Sequence, residues 1–363
     1  MNVTGWRDEP ASLPPLAARL VRWLEVARPE AHAGSDEIAA QLSLAWRELF
    51  DARGVALWAL AASGRLEPLG RDGEFDGNIA PDAHIEFSQN AWPQHSFWVA
   101  HGQGASRDLA TTLGLLSEMV AAPALCVPMG ECALALLWLD TPDARFDAPL
   151  QDALEPLAAQ SGALINNALR VENLGRSFHQ LARAMGAAID GREAHREGYS
   201  NAVAYYASLI GREMNLSDAD LERIEFAALW NGLGRLSVPD AILQKDAPLS
   251  PAELEQVRGA AQWGADKLMG VEGLEKVASI VRHQNEHFDG SGAPDGLKEH
   301  AIPVGSRVLA VAARFAAMTM ARADRAPMSV VGGAMDSVAQ SAGKALDPEV
   351  VKAFLRAMGR TAQ

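Results

Sequence analysis

The sequence predicts two folded parts in order: an α+β domain with an antiparallel sheet and flanking helices, then an all-α helical bundle. Three observations carry this. The chain has 363 residues, enough for two domains of ordinary size. Short apolar runs bounded by turn residues are confined to residues 54–140, which is the pattern of strands. From about residue 185 onward apolar residues recur at three and four, the spacing of one helix face.

Residues 1–35 hold a Pro-rich start and one short helical pattern from Leu16 to Leu24. Asp36 to Phe50 has apolar residues at helical spacing. Strand-like runs follow at Gly54–Leu60, Ser96–Ala100, Ala124–Pro128 and Cys132–Asp140. A Leu- and Ala-rich helix starts near Pro149 and runs past residue 180. A helix of ~40 residues is ~60 Å long and overhangs any single small domain. That length predicts pairing with its copy in a homodimer; the competing reading is an exit helix packed on its own domain. Asn201–Leu216 is the next helix. Ser217 with Asp220 then caps a helix from Ala219 to Trp230. Ser250, Pro251 and Glu253 form another start signal. The boundaries read as a helical extension at 1–35, a first domain at 36–172, a linker helix at 150–190 and the bundle at 185–363.

Composition narrows the classes. The net charge of −14 argues against nucleic acid, because backbone binding needs a basic face. No apolar run reaches the ~18 to 20 residues that span a bilayer, and the N-terminus lacks the apolar core of a signal peptide, so the expectation is a cytoplasmic protein with no membrane partner. The two cysteines, Cys126 and Cys132, read as buried free thiols.

Residues 36–172 resemble a GAF domain in the order of helix, strand pair, variable middle, hairpin and exit helix. Trp58, Trp92, Trp98 and Trp138 fall in this region. They read either as aromatic walls of a ligand pocket or as ordinary core packing.

The second part carries a more specific resemblance. Phe226-Ala-Ala-Leu-Trp-Asn-Gly-Leu-Gly-Arg-Leu-Ser-Val-Pro-Asp-Ala-Ile-Leu243, Leu249-Ser-Pro-Ala-Glu253 and Asp289-Gly-Ser-Gly-Ala-Pro-Asp-Gly-Leu297 are three blocks of it. Ile302-Pro-Val-Gly-Ser-Arg-Val-Leu-Ala-Val-Ala-Ala313 and Leu346-Asp-Pro-Glu-Val-Val-Lys-Ala-Phe354 complete it. All five resemble, in order, blocks of the HD-GYP family, the bacterial metal-dependent phosphodiesterases that open cyclic di-GMP. The resemblance covers roughly residues 185–358.

It implies a site with two or three divalent metals held by imidazoles and carboxylates, which polarise phosphate and acidify a bound water. The family's ligand positions fall on Tyr199, Asn231, Gly232, Ala260, Gln284, Asn285 and Ala313, with an acidic position on His195. Of these only His195 is a competent ligand, because Gly and Ala have no donor atom and amides and a phenol bind these metals poorly. The tally predicts no metal and no cofactor. The family's lysine after its His-Asp doublet is Arg235, its loop tyrosine is Ala293, and Arg307 keeps the family's arginine.

Arg235, Arg282, Arg307 and Arg314 read either as a cluster holding nucleotide phosphate or as structural partners of this acidic chain's carboxylates. His283, Glu286 and His287 match the H-x-x-E-H pattern of zinc peptidases, with Glu349 the one loosely placed third ligand; histidines solvated near a helix end are the competing reading. The loop Asp289, Gly290, Ser291, Gly292, Ala293 and Pro294 is Gly-rich and a candidate partner surface.

Together these readings predict a catalytically inactive pseudo-phosphodiesterase that works as a regulator or scaffold. Its partners would be a regulatory protein and a second copy through the linker helix, or cyclic di-GMP sensed as a nucleotide. The alternative is a cyclic di-GMP phosphodiesterase or a metal-free cyclic di-GMP effector.

Overall fold

The protein is described as a computed structural model over residues 19–21, 23–24, 34–61, 65–73, 85–86, 97–99, 124–138, 148–193, 196–245, 247–320 and 331–359. Chain contacts divide it into two units, Met1–Gly175 and Arg176–Gln363. Trp92, His195 and residues 16–18 and 22 of the helical pattern from Leu16 to Leu24 lie outside the described residues, as does the Trp98 side chain.

In the first unit, α1 (Ser35–Phe50) buries Ile38, Ala39, Leu42, Ala45, Trp46, Leu49 and Phe50 along one stripe, as a helix with apolar residues three and four apart must. Glu172 caps its start: Ser35 N and Ser35 Oγ donate to the two carboxylate oxygens at 2.6 and 2.9 Å. The sheet has strands β1 (Gly54–Leu60), β2 (Arg65–Gly73), β3 (Ile85–Glu86), β4 (Phe97–Val99), β5 (Ala124–Met129) and β6 (Ala133–Trp138). Their order is β3-β2-β1-β6-β5-β4 and every pair is antiparallel. Four longer strands form its body; β3 and β4 are short pieces at its edges.

Val55, Leu57, Leu125, Val127, Met129, Ala133, Ala135 and Leu137 point to one face and pack with α1. Helix α2 (Ala148–Asp190) adds Leu154, Ala158 and Ile165 to the same core. At Gly162 the helix lies directly on the sheet, since a Cβ there would meet the Met129 carbonyl oxygen at 2.3 Å. Trp58 and Trp138 are both buried. Cys126 is buried and its burial pushes the thiol up; Cys132, predicted buried, is half-buried because it sits in the hairpin turn, with Sγ 3.4 Å from the Gly162 carbonyl.

Strand β2 was not predicted. Its sequence, RLEPLGRDG, has no apolar alternation, and only Leu66 on it is fully buried. Pairing with β1 over seven positions makes it a strand in spite of its composition.

The described residues of the second unit form helices: α3 (Tyr199–Glu213), α4 (Asp218–Leu229), a 3-10 turn at Leu233–Ser237, α5 (Asp240–Leu243), α6 (Pro251–Met269), α7 (Glu275–Arg282), α8 (Val304–Thr319), α9 (Val331–Gln340) and α10 (Pro348–Ala357). Ser217 accepts from Asp220 N at the start of α4. Ser250 and Glu253 close a full capping box before α6. Asp347 does the same work before α10, accepting from Glu349 N at 2.8 Å. Phe315 of α8 is the aromatic centre of the core, 4.8 Å from the Tyr206 ring and 4.9 Å from the Phe354 ring. Each such ring buried contributes roughly 1.5–3 kcal/mol relative to exposure.

Candidate functional site

A cleft of about 430 Å³ opens in the second unit. Its floor is made where the 3-10 turn meets α6. Gly234 is required there, because a Cβ would sit 1.6 Å from the Ala260 carbonyl oxygen. Close approach at this point brings Asn231, Gly232 and Arg235 beside Ala260 and Ala261. From the opposite side α3 contributes Tyr199 and α8 contributes Ala310, Ala313 and Arg314. The segment after α7 supplies Gln284, Asn285, Glu286 and His287.

All seven described positions of the expected ligand set therefore line one cleft: Tyr199, Asn231, Gly232, Ala260, Gln284, Asn285 and Ala313. Three of their side chains bond to backbone carbonyls. Tyr199 Oη donates to the Ala313 carbonyl at 3.1 Å. Gln284 Nε2 donates to the Asn231 carbonyl at 3.1 Å, and Asn231 Nδ2 to the Ala228 carbonyl. A divalent metal, which the resemblance implies here, does not fit these residues. Gly232, Ala260 and Ala313 carry no donor, the Tyr199 hydroxyl is spent on a carbonyl, and the amides offer no charge to offset desolvation of a 2+ ion. Among the described residues no three His, Cys, Asp or Glu side chains are grouped to hold a metal.

The four arginines of the sequence reading are separated by the fold. Arg235 and Arg314 line the cleft; Arg282 and Arg307 do not. Arg282 makes a two-pronged pair with Asp295, at 2.9 Å from Nε and 2.8 Å from Nη2. Arg307 binds Asp347 and the Ile302 carbonyl, tying α8 to the start of α10. Arg235 is itself paired, its Nε and Nη2 donating to both oxygens of Glu193. Arg314 is exposed and makes no ion pair among the described residues.

The zinc-peptidase pattern is not built. Helix α7 ends at Arg282, so His283 and His287 do not share a helix face. His283 uses both ring nitrogens, Nδ1 at 2.8 Å from the Ser279 carbonyl and Nε2 at 3.0 Å from Asp295. His287 Nδ1 lies 2.9 Å from Ser291 Oγ. Glu286 is 3% exposed; one oxygen accepts from Asp295 N at 2.7 Å, and Oε2 is buried without a hydrogen-bond partner among the described residues.

The loop of Asp289, Gly290, Ser291, Gly292, Ala293 and Pro294 does not line the cleft; it braces it. Gly292 lies directly on the backbone of Glu286 and His287, where a Cβ would come within 2.1 Å of His287 N. Phe288 N and Asp289 N donate to the Ala345 and Lys344 carbonyls. Asp289 accepts from Ser291 N and Oγ at 2.9 and 2.7 Å.

Two residues escaped the sequence reading. Arg196 lines the cleft with its guanidinium carbon 3.9 Å above the Tyr199 ring centre, and Glu193 holds Arg235 in place. No motif marks either.

This arrangement of helices belongs to a known class: residues 183–350 match the HD domain family, so the second unit contains an HD domain. The curated relatives of this domain are named as phosphodiesterases. The chain is 29% identical over 189 residues to the cyclic di-GMP phosphodiesterase response regulator RpfG of Xanthomonas campestris pv. campestris, covering 52% of this chain and 49% of that one. It is 34% identical over 166 residues to a cyclic di-GMP phosphodiesterase of Thermotoga maritima, covering 45% and 44%. It is 30% identical over 178 residues to the 3'3'-cGAMP-specific phosphodiesterase 3 of Vibrio cholerae, covering 49% and 38%. The chain thus spans about half or less of the length of these relatives.

The relatives correct the expectation of a catalytically inactive pseudo-phosphodiesterase that is no enzyme. Each is named a phosphodiesterase. A tally of eight side chains against a family pattern weighs only the metal route to the chemistry, and it left out the cations of the same cleft. Among the described residues no helix is long and apolar enough to cross a membrane.

Proposed function

We propose that the HD domain is a cyclic dinucleotide phosphodiesterase. The observation that carries this reading is the guanidinium-lined cleft, built from the same stretch that aligns with relatives named for that activity. Hydrolysis adds water to phosphorus and returns a proton to the departing ribose oxygen. Negative charge grows on the non-bridging oxygens meanwhile, and cations that line the cleft stabilise it. Arg235 and Arg314 supply such cations. Glu286 and His287 are the carboxylate and the imidazole of the lining, and can hold or move the proton.

The test is incubation of the full chain with cyclic di-GMP and with 3'3'-cGAMP, in Mn2+, in Fe2+ and in EDTA, with the linear product read by chromatography. Conversion of either is expected. No product under all three conditions overturns the reading.

The antiparallel sheet with α1 and α2 packed on one face supports a GAF-type sensor role for the first unit. Helix α2 supports a homodimer by another feature. Val171, Leu174, Phe178, Leu181 and Met185 are exposed, from 38% at Phe178 to 73% at Leu174, and they alternate at three and four residues. That is the seam of a two-stranded coiled coil, and the occupant we propose for it is a second copy of this chain.

A further inference from the structure

We infer that Arg196 and Arg235 form a phosphate subsite that does electrostatically, without metal, what a bound cation does at this cleft in a metal-dependent site. The inference rests on the proposed cyclic dinucleotide reading and names the group recognised: a phosphate oxyanion of the nucleotide.

Arg196 is the reason. Its side chain is only 20% exposed, yet its guanidinium makes no hydrogen bond among the described residues. Its Nε is buried and lies 3.7 Å from Glu193 Oε1, beyond hydrogen-bond range. A guanidinium has five N–H donors, and leaving them dry costs far more than leaving them wet. What holds it is the Tyr199 ring face at 3.9 Å and the partial charge of Glu193, which is already committed to Arg235. Burial, and the charge of Arg235 beside it, pull the Arg196 pKa down. Arg235 is a second half-buried cation beside it, and Glu193 and then Asp190 are the carboxylates that act on Arg196.

The location matters. A Cβ on Gly232 would lie 3.7 Å from Arg235 Cδ and 4.0 Å from Arg196 Nη2. Gly232 is where the HD-GYP resemblance expects a metal-binding aspartate. Both arginine side chains therefore border the space that the aspartate and its metal would use. Loss of the carboxylate is what leaves Arg196 free to face an anion, and planar N–H donors suit phosphate oxygens. The unpartnered donors of Arg196 become satisfied when that anion enters.

Calorimetric titration of the full chain in EDTA tests this, with cyclic di-GMP, its linear product and inorganic phosphate as probes. Binding without metal is expected. Arg196→Gln is expected to weaken it about tenfold or more, the loss of a charge-assisted contact. Gly232→Asp puts a carboxylate on a Cβ that would lie 4.0 Å from Arg196 Nη2, and is expected to abolish binding by pairing with that guanidinium. The Gly232 φ of −89° admits a side chain, so this variant keeps the test open if Arg196→Gln fails to fold.

Metal-free binding unchanged in both variants overturns the subsite, as does binding that appears only with added metal; either leaves the cyclic dinucleotide reading standing. Arg196-dependent binding of inorganic phosphate or the linear product with none of any cyclic dinucleotide supports the subsite and sinks that reading instead.

Discussion

Arg282, His283 and Asp295 show how single residues here trade a sequence-level role for a structural one. Arg282 read as a candidate phosphate contact, and the fold spends it on Asp295, whose carboxyl it holds well down, at about 2 against an ordinary 3.8. His283 adds to the effect. A depressed carboxylate contributes stability above its ordinary pKa and loses it as pH falls. The pair should thus brace the loop at pH 5 and stop doing so between pH 4 and 2. The difference in stability between the protein and Asp295→Asn, followed by denaturant titration, is expected to shrink to nothing across that window; a difference constant with pH would refute the pairing. Tyr199→Phe removes the hydroxyl that reaches the Ala313 carbonyl and should cost about 1 kcal/mol. Gly234→Ala should cost more than about 3 kcal/mol, because Ala260 cannot retreat from the added methyl without moving α6. Gly234 was legible as part of a resemblance block; the need for it was not, since that need is a contact with a residue 26 positions away. Arg196 was not legible at all. Its neighbours in sequence say nothing about a cleft; only the folded chain places its guanidinium over the Tyr199 ring of α3.

Elements were easier to read where their signals are local. The Ser250–Glu253 capping box is written in four consecutive residues and is present as two hydrogen bonds. Ser250→Ala is expected to lower the stability of the second unit by about 1 kcal/mol, measured by thermal or chemical unfolding. Helix α3 was placed two to three residues late, because its first residues, Tyr199 and Ser200, are held by something outside the helix. Buried Asp190 accepts from Ser200 N and Oγ at 2.7 and 3.0 Å. Strand β2 was missed for the opposite reason, its ladder with β1 outweighing a poor composition. Helix α2 was legible in extent because its apolar period is long and unbroken. Its exposed seam predicts that Leu174→Glu with Leu181→Glu converts a dimer to a monomer in light-scattering chromatography. A monomeric starting protein, or a dimer that survives both charges, would remove the coiled coil.

At the scale of the whole molecule the chain is two units with separate cores, one on a sheet and one among helices. A ligand of the cleft contacts only the second. Cyclic dinucleotide at a hundred times its Kd should stabilise that unit by about 2.7 kcal/mol and leave the first unit's transition in place. A calorimetric scan with and without ligand reads both at once, and a shift confined to the first unit would put the binding site elsewhere. The net charge of −14 makes the Arg196, Arg235 and Arg314 cluster a local exception to an acidic surface. Composition speaks for the chain as a whole and is silent about such a patch.

The sequence by itself determined the order of sheet and helices, the long connecting helix, and the positions that meet in the cleft. The first two follow from periodicity, and the cleft positions are what the HD-GYP resemblance implies. Tertiary structure alone decided which charges face the cleft and which are consumed as struts. Arg235, Arg282, Arg307 and Arg314 are chemically equal as letters. Carboxylates at Glu193, Asp295 and Asp347 separate them, and those partners lie 13 to 42 residues away in sequence. A guanidinium with a buried Nε that makes no hydrogen bond among the described residues, the property that singles out Arg196, exists only once the chain has folded around it.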